Sequence, residues 1–204
     1  MLYQIKKWEI PKAGEVLMDA FQQDLLWKKF FEGETNFSQK MQWCFETPIR
    51  FCFKFGKVWA ASENFEGVAA WLPGDQSFMT IWTMIRSGAI FSGMKLGVTL
   101  GKKMSLVFGP IEDDRKRNMD GEPFVYLFII GVATEKQGQG FGGKLLHELM
   151  DSCDASATAI YLETETKQNV QFYEKHGFRI IKQINLPIVN HPMWEMVRKP
   201  CVSR

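Results

Sequence analysis

The chain is poor in the residues that build metal sites and disulfide scaffolds. Four cysteines occur among 204 residues, Cys44, Cys52, Cys153 and Cys201, and no two stand in a CxxC spacing. With only three histidines there is no zinc-finger spacing either, and no metal is expected. Free, mostly buried thiols in a reducing compartment are the expectation. A dominant charge is also missing. The balance of 25 Lys and Arg against 23 Asp and Glu leaves +2, which gives no basis for a dedicated nucleic-acid binder. Long apolar runs are absent as well. Residues 1–15 hold no sustained apolar segment of the kind a secretory signal needs. The most membrane-like run, Ser87 to Gly101, carries Lys95 and falls short of the roughly 20 residues that span a bilayer. A cytoplasmic protein with no nucleic-acid and no membrane partner is expected.

What is present is a core. With 46% hydrophobic and 24% charged residues the chain can bury a full interior, and one domain over 1–204 is expected. Residues 2–8 read as an opening strand, Lys12 to Phe21 as a helix after Pro11, and Asp24 to Phe31 as a short aromatic helix. From Met41 to Phe55 the pattern is ambiguous between helix and strand, because Pro48 cuts an apolar run. Lys57 to Ser62 and Gly67 to Leu72 read as a hairpin ended by Pro73-Gly74. The middle third, about 76–119, suggests two or three short helices punctuated by glycine. They end in Glu112-Asp113-Asp114-Arg115-Lys116-Arg117, whose mixed signs suit a solvated face. Phe124 to Val132 is continuously apolar, as a strand buried on both faces would be. After it come an amphipathic helix at Phe141 to Cys153, a strand at Ala159 to Glu163 and a short helix from Lys167 stopping at Gly177. Strands at Phe178 to Leu186 and Met193 to Arg198 close an α/β order.

The most informative segment is Gln137-Gly138-Gln139-Gly140-Phe141-Gly142-Gly143-Lys144, between a buried strand and a helix. Backbone amides at a helix start, unobstructed by side chains, form an anion site suited to phosphate. A Walker A loop is excluded, because Lys144 precedes Leu145 and no hydroxyl is available for magnesium. Gly138, Gly140 and Gly143 do satisfy GxGxxG, with Glu163 near the place of a ribose-binding acid. However, a five-residue gap follows the strand, and too few residues remain for a dinucleotide fold.

The run Val132-Ala133-Thr134-Glu135-Lys136-Gln137-Gly138-Gln139-Gly140-Phe141-Gly142 resembles the acetyl-CoA signature of the GCN5-related N-acetyltransferases (GNAT), Gln/Arg-x-x-Gly-x-Gly/Ala. Asn169-Val170-Gln171-Phe172-Tyr173-Glu174-Lys175-His176-Gly177-Phe178 resembles a second hallmark of the family at the expected distance. Tyr126-Leu127 and Tyr161-Leu162-Glu163 are similar to family strands, and Val58 to Gly74 to a subgroup with antibiotic-modifying members. The resemblance implies an α/β fold of the GNAT type. Its mixed, mostly antiparallel central sheet would have about six or seven strands flanked by helices, with a helical insertion in the middle third. A CoA-binding core would cover about 122–180 and an acceptor region about 75–120.

The activity so implied is transfer of an acetyl group from acetyl-CoA, as cosubstrate, to a primary amine, by direct attack in a ternary complex. Gly138, Gln139, Gly140, Phe141, Gly142, Gly143 and Lys144 would hold the pyrophosphate, with Gln137 opening the motif. In the family the preceding strand splays from its neighbour so that the pantetheine arm pairs with a free edge. Here that edge is Ile130 to Thr134, including Val132, Ala133 and Thr134. The Val132 amide would polarise the thioester and Asn169 would bond the arm. Tyr173, one helical turn after Asn169, is the expected general acid, since a phenol of pKa about 10 is protonated at neutral pH. Glu66 is the first candidate for the base, ahead of Glu163 and His147. Where relatives commonly carry a polar group in the strand before the loop, this chain has Phe128, Ile129 and Ile130, so an amine already partly neutral is an alternative. No Cys–His spacing supports an acyl-cysteine route. Trp27, Phe30, Phe31, Trp43, Phe78, Trp82, Phe91 and Trp194 suggest an aromatic-lined acceptor cleft, and a small-molecule amine is the expected partner. A protein N-acetyltransferase, a non-catalytic acyl-CoA-binding regulatory module and an interaction protein that homodimerises through its aromatic middle third remain open.

Overall fold

A computed structural model describes residues 1–201. Its strands are β1 (Tyr3–Gln4), β2 (Lys57–Ala60), β3 (Gly67–Pro73), β4 (Phe124–Val132), β5 (Ala159–Thr164), β6 (Arg179–Leu186) and β7 (His191–Arg198). They form one sheet in the order β1-β2-β3-β4-β5-β7-β6, and every pair is antiparallel except the parallel β4–β5. The helices are α1 (Ile10–Phe21), α2 (Leu25–Phe30), α3 (Phe37–Phe55), α4 (Ile81–Ser87), α5 (Ala89–Asn118), α6 (Phe141–Ala155) and α7 (Lys167–Lys175).

The two-residue alternation of the strands divides the interior into two apolar layers. Val68, Ala70, Leu72, Tyr126 and Tyr161 face a core shared with α1, α2, α3 and α5. Ala69, Trp71, Leu127, Ile160 and Leu162 face the other way, onto Leu145, Leu146 and Leu149 of α6 and Val170 and Tyr173 of α7. The central strands are thus covered on both faces. Gly131 permits a close approach of α1 to β4: a Cβ there would stand 2.9 Å from Leu17.

Several local expectations are revised. The opening strand shrinks to Tyr3–Gln4, because Glu9 turns back to accept the Lys6 amide at 2.7 Å and starts a helical turn. The ambiguous apolar run is helical throughout α3, with Pro48 inside it. A proline in a helix interior costs about 3 kcal/mol. That is outweighed here by burial of Met41, Cys44, Phe45, Ile49, Phe51 and Cys52. The middle third forms α4 and the 30-residue α5, which Gly97 breaks at φ 82° into two runs, the second of them long. The charged stretch at the end of α5 is a solvated face only in part: Asp113, Lys116 and Arg117 are exposed, but two of its charges turn inward. Asp114 and Arg115 are buried, Arg115 on Glu163 and Asp114 on Lys182 and Arg117. The last strand begins earlier than Met193, at His191, with Pro192 inside it.

Candidate active site

The site begins where two central strands part. The parallel ladder between β4 and β5 joins only Phe124–Tyr126 to Ala159–Tyr161. Just beyond, the β3–β4 register slips so that Phe128 is an unmatched extra residue, a bulge that bends β4 away from its neighbour. Between the diverging ends lies a cavity of about 510 Å³. Leu127 to Ile130, Leu162 to Glu165, Asn169 and Tyr173 line it on one side, and Phe21, Trp27, Phe45, Met84, Leu96, Met104 and Phe108 on the other. The Ala133 amide donates to the Glu66 carbonyl at 2.9 Å, so at this end of β4 odd-numbered amides face β3. Amides alternate along a strand, which turns those of Ile130 and Val132 to the edge that β5 has left.

The glycine loop stands at the end of the same strand. Gly138 and Gly140 adopt φ of 73° and 86°, the left-handed region, and a Cβ on either would meet nothing within 4 Å. Their role is therefore conformational and does not serve close packing. Gly140 caps α6 without a side-chain bond, and the first closed helical bond is Lys144 N–H to the Gly140 carbonyl at 3.0 Å. The amides of Phe141, Gly142 and Gly143 are left as the orphan donors of a 15-residue helix, with its partial positive charge behind them. The Lys144 ammonium donates to the Ala61 carbonyl at 2.6 Å. Gln137 donates from Nε2 to the Val132 carbonyl at 3.1 Å and Gln139 to the Glu135 carbonyl at 3.0 Å. These contacts brace the loop. The Thr134 amide is already bound by the Asp19 carboxylate at 2.6 Å, so the free edge stops short of Thr134.

Asn169 and Tyr173 come from one face of α7, whose first turn is capped by the Thr166 hydroxyl accepting the Asn169 amide at 3.1 Å. Tyr173 is buried against Phe172 and Phe178, and burial, helped by the charge of Glu165, pushes its phenol well above the usual range. Glu165 lies at the cavity wall within hydrogen-bonding reach of Asp24, which precedes α2. Burial, then the Asp24 charge, push the Glu165 carboxyl up to about 8; burial also raises that of Asp24. Two carboxyls so close disfavour joint ionisation, and both stand above the usual carboxylate range. His191 is beside it, a ring nitrogen 3.1 Å from the Glu165 carbonyl.

Glu66 is not in this cavity. It follows the β2–β3 turn, where the Ser62 hydroxyl donates to it at 2.7 Å. Burial works upward, but Ser62, Asn64 and Lys144 outweigh it and hold the carboxyl below the usual range. Glu163 reaches the cavity with both oxygens engaged, by Arg115 at 2.7 Å and by the Tyr126 hydroxyl at 2.7 Å. The Arg115 guanidinium also lies 3.9 Å over the Tyr126 ring. His147 is exposed on α6, bound to the Gly143 carbonyl. Cys44 lines the cavity, but burial pushes its thiol up to about 12, which leaves almost no thiolate at neutral pH. Of the eight expected cleft aromatics only Trp27 lines the cavity. Phe30 and Phe31 belong to one core layer and Trp194 to the other, while Trp82 and Phe91 are exposed. The aromatic wall is made instead by Phe21, Phe45, Phe108 and Phe128. Asp24, Glu165 and Arg115 carry no spacing signal in the chain. Among the described residues no cluster of three or more His, Cys, Asp or Glu is placed to hold a metal ion, and no helix is long and apolar enough to cross a membrane.

A family model described as "Acetyltransferase (GNAT) domain" matches residues 107–180, from the later half of α5 through the glycine loop to the start of β6. An N-acetyltransferase of Schizosaccharomyces pombe, itself uncharacterised, is 27% identical over 97% of this chain and 82% of its own length. Residues 107–180 are thus similar to a GNAT domain, and the chain along nearly its whole length to an N-acetyltransferase. Solved GNAT-type structures share its fold. A Corynebacterium glutamicum protein described as histone acetyltransferase HPA2 and related acetyltransferase superposes with a TM-score of 0.65 at 18% identity, over 100% of this chain and 97% of that one. A mosquito arylalkylamine N-acetyltransferase like 5b does so with a TM-score of 0.58 at 15% identity, over 98% and 99%. Residues 107–180 match an acetyltransferase domain whose family uses acetyl-CoA as donor. The residues present fit that donor: uncapped amides and open space at Gly138 and Gly140 suit a pyrophosphate, and an unpaired strand edge suits an amide-bearing arm.

Proposed function

We propose that the protein transfers the acetyl group of acetyl-CoA to the primary amine of a small molecule with an apolar body, by direct attack. The observation that carries this reading is one cavity that joins the β4 edge at Ile130 to Tyr173, to Glu165 with Asp24 behind it, and to an aromatic wall. The first-turn amides of α6 hold the pyrophosphate, the edge of β4 and Asn169 hold the pantetheine arm, and the Val132 amide polarises the thioester carbonyl. The base role passes from Glu66 to the carboxyl pair, which titrates near the working pH of an amine base. The amine gives its proton to that pair, its nitrogen forms the C–N bond, and the C–S bond breaks. Tyr173 supplies the proton that the leaving thiolate takes. The apolar wall favours a carbon-rich amine, in keeping with the arylalkylamine named for the mosquito protein.

Thiol release from acetyl-CoA by the purified protein, over a panel of arylalkyl amines, alkyl amines, polyamines and peptides, tests the reading. Turnover highest with aryl- or alkylamines is expected. CoA binding without release for any amine would instead identify a non-catalytic module, and preference for peptides a protein N-acetyltransferase.

A further inference from the structure

Two of the aromatic residues that the cavity leaves out, Trp82 and Phe91, stand on the outer surface of α4 and the first run of α5. Trp82 is 73% exposed, Phe91 67%, Met94 70% and Val98 75%, and Ile81 and Ile85 are each at least half exposed. They are not scattered. Ile81, Trp82 and Ile85 share one face of α4, Phe91 and Met94 stand at i, i+3 on the first run of α5, and Val98 follows directly after the break at Gly97. The opposite faces are already committed, with Ala89 and Leu100 in the core and Met84 and Leu96 at the cavity. These helices are thus apolar on both sides, one packed and one open. A soluble surface does not ordinarily expose so many large apolar side chains together.

Charge identifies what covers the open side. From Gln76 to Pro110 the charged residues are Arg86, Lys95, Lys102 and Lys103, with no acid among them, although the chain as a whole is nearly balanced. Lys103 turns inward to the Phe30 carbonyl. Arg86, Lys95 and Lys102 are exposed and lie along the same helices as the apolar stripe. A symmetric contact with a second copy would bring these like charges together, which disfavours self-association. Large apolar side chains, a tryptophan and flanking cations on two short helices match the composition of an interfacial anchor. We propose that α4 and the part of α5 up to Lys102, on both sides of the break at Gly97, dock this protein on an anionic phospholipid surface. Trp82, Phe91, Met94 and Val98 enter the headgroup boundary, while Arg86, Lys95 and Lys102 meet lipid phosphates. The absence of a spanning helix bears on crossing a bilayer, not on resting against one. The inference is independent of the acetyl-transfer reading.

Flotation with vesicles tests it. The wild-type protein should float with phosphatidylcholine vesicles containing about one part in three phosphatidylserine, and poorly with phosphatidylcholine alone. Each of Arg86→Gln, Lys95→Gln and Lys102→Gln should weaken binding about fivefold, and added salt should do the same. The double variant Trp82→Ser/Phe91→Ser should lose vesicle binding while keeping its circular dichroism and thermal midpoint, since neither side chain is in the core. Failure of the folded wild type to bind anionic vesicles would overturn the proposal. Undiminished binding by the double variant would do so too. A dimer in sedimentation equilibrium that this variant dissociates would assign the stripe to a second copy instead, and would equally overturn it.

Discussion

Tyr173 sits where a core aromatic and a proton donor have the same requirements. Burial that packs its ring on Phe178 also raises its phenol, keeping it protonated at any pH the protein meets. Tyr173→Phe preserves that packing and removes only the proton. It should lower kcat roughly 100-fold or more with CoA affinity unchanged, read by steady-state kinetics and calorimetry. The Glu165 carboxyl, raised to about 8, must be ionised to accept a proton, so activity should climb with pH through about 8. In Glu165→Gln that limb should move or vanish, while Glu66→Gln should leave the profile as it is. At Gly140 the φ of 86° admits glycine readily. Gly140→Glu adds roughly 1–2 kcal/mol of backbone strain and a negative charge at the expected pyrophosphate position. CoA affinity should fall at least about tenfold by calorimetry.

At the scale of elements, legibility follows how local the determinants are. The glycine loop with α6, and α7 with its stop at Gly177, could be read because caps, positive-φ glycines and helical periodicity are properties of short segments. The middle of α3 could not, since only the core it packs against settles Pro48 in favour of a helix. At the end of α5 the buried Asp114 and Arg115 were illegible for the same reason. Mixed charges suit a wet surface until a partner from another element arrives, and Glu163 of β5 is 48 residues away from Arg115. That pair ties α5 to the parting strands with side chains about 5% exposed, so breaking it strands a charge. Arg115→Met should lower the unfolding free energy by about 3–5 kcal/mol in urea titrations. Arg115→Met/Glu163→Leu should recover much of the loss.

For the whole molecule the raised carboxyls set the pH of greatest stability. Burial raises Glu195 to about 7 and Glu165 to about 8, both from 4.5, so the native state binds protons that the unfolded chain has released. Their contribution is fully present below about pH 4.5 and is lost as pH rises through 7 and 8. Asp114, Asp154 and Glu66 are shifted downward, so theirs is lost as pH falls through the acid range. The urea midpoint should be higher at about pH 6 than at about pH 8.5. Glu165→Gln/Glu195→Gln should flatten that slope.

The GNAT resemblance, the glycine turn at Gly138 to Gly143 and the placing of Asn169 and Tyr173 on one helical face could all be read from the chain alone. Each of these is written within a few residues by backbone conformation and periodicity. Only the tertiary structure decided the parting of β4 from β5, the pairing of Asp24 with Glu165 and the choice of aromatics around the acceptor cavity. Such features join residues far apart in the chain, and burial creates them: it shifts a carboxyl, or turns one tryptophan inward and another out, in a way no local pattern records.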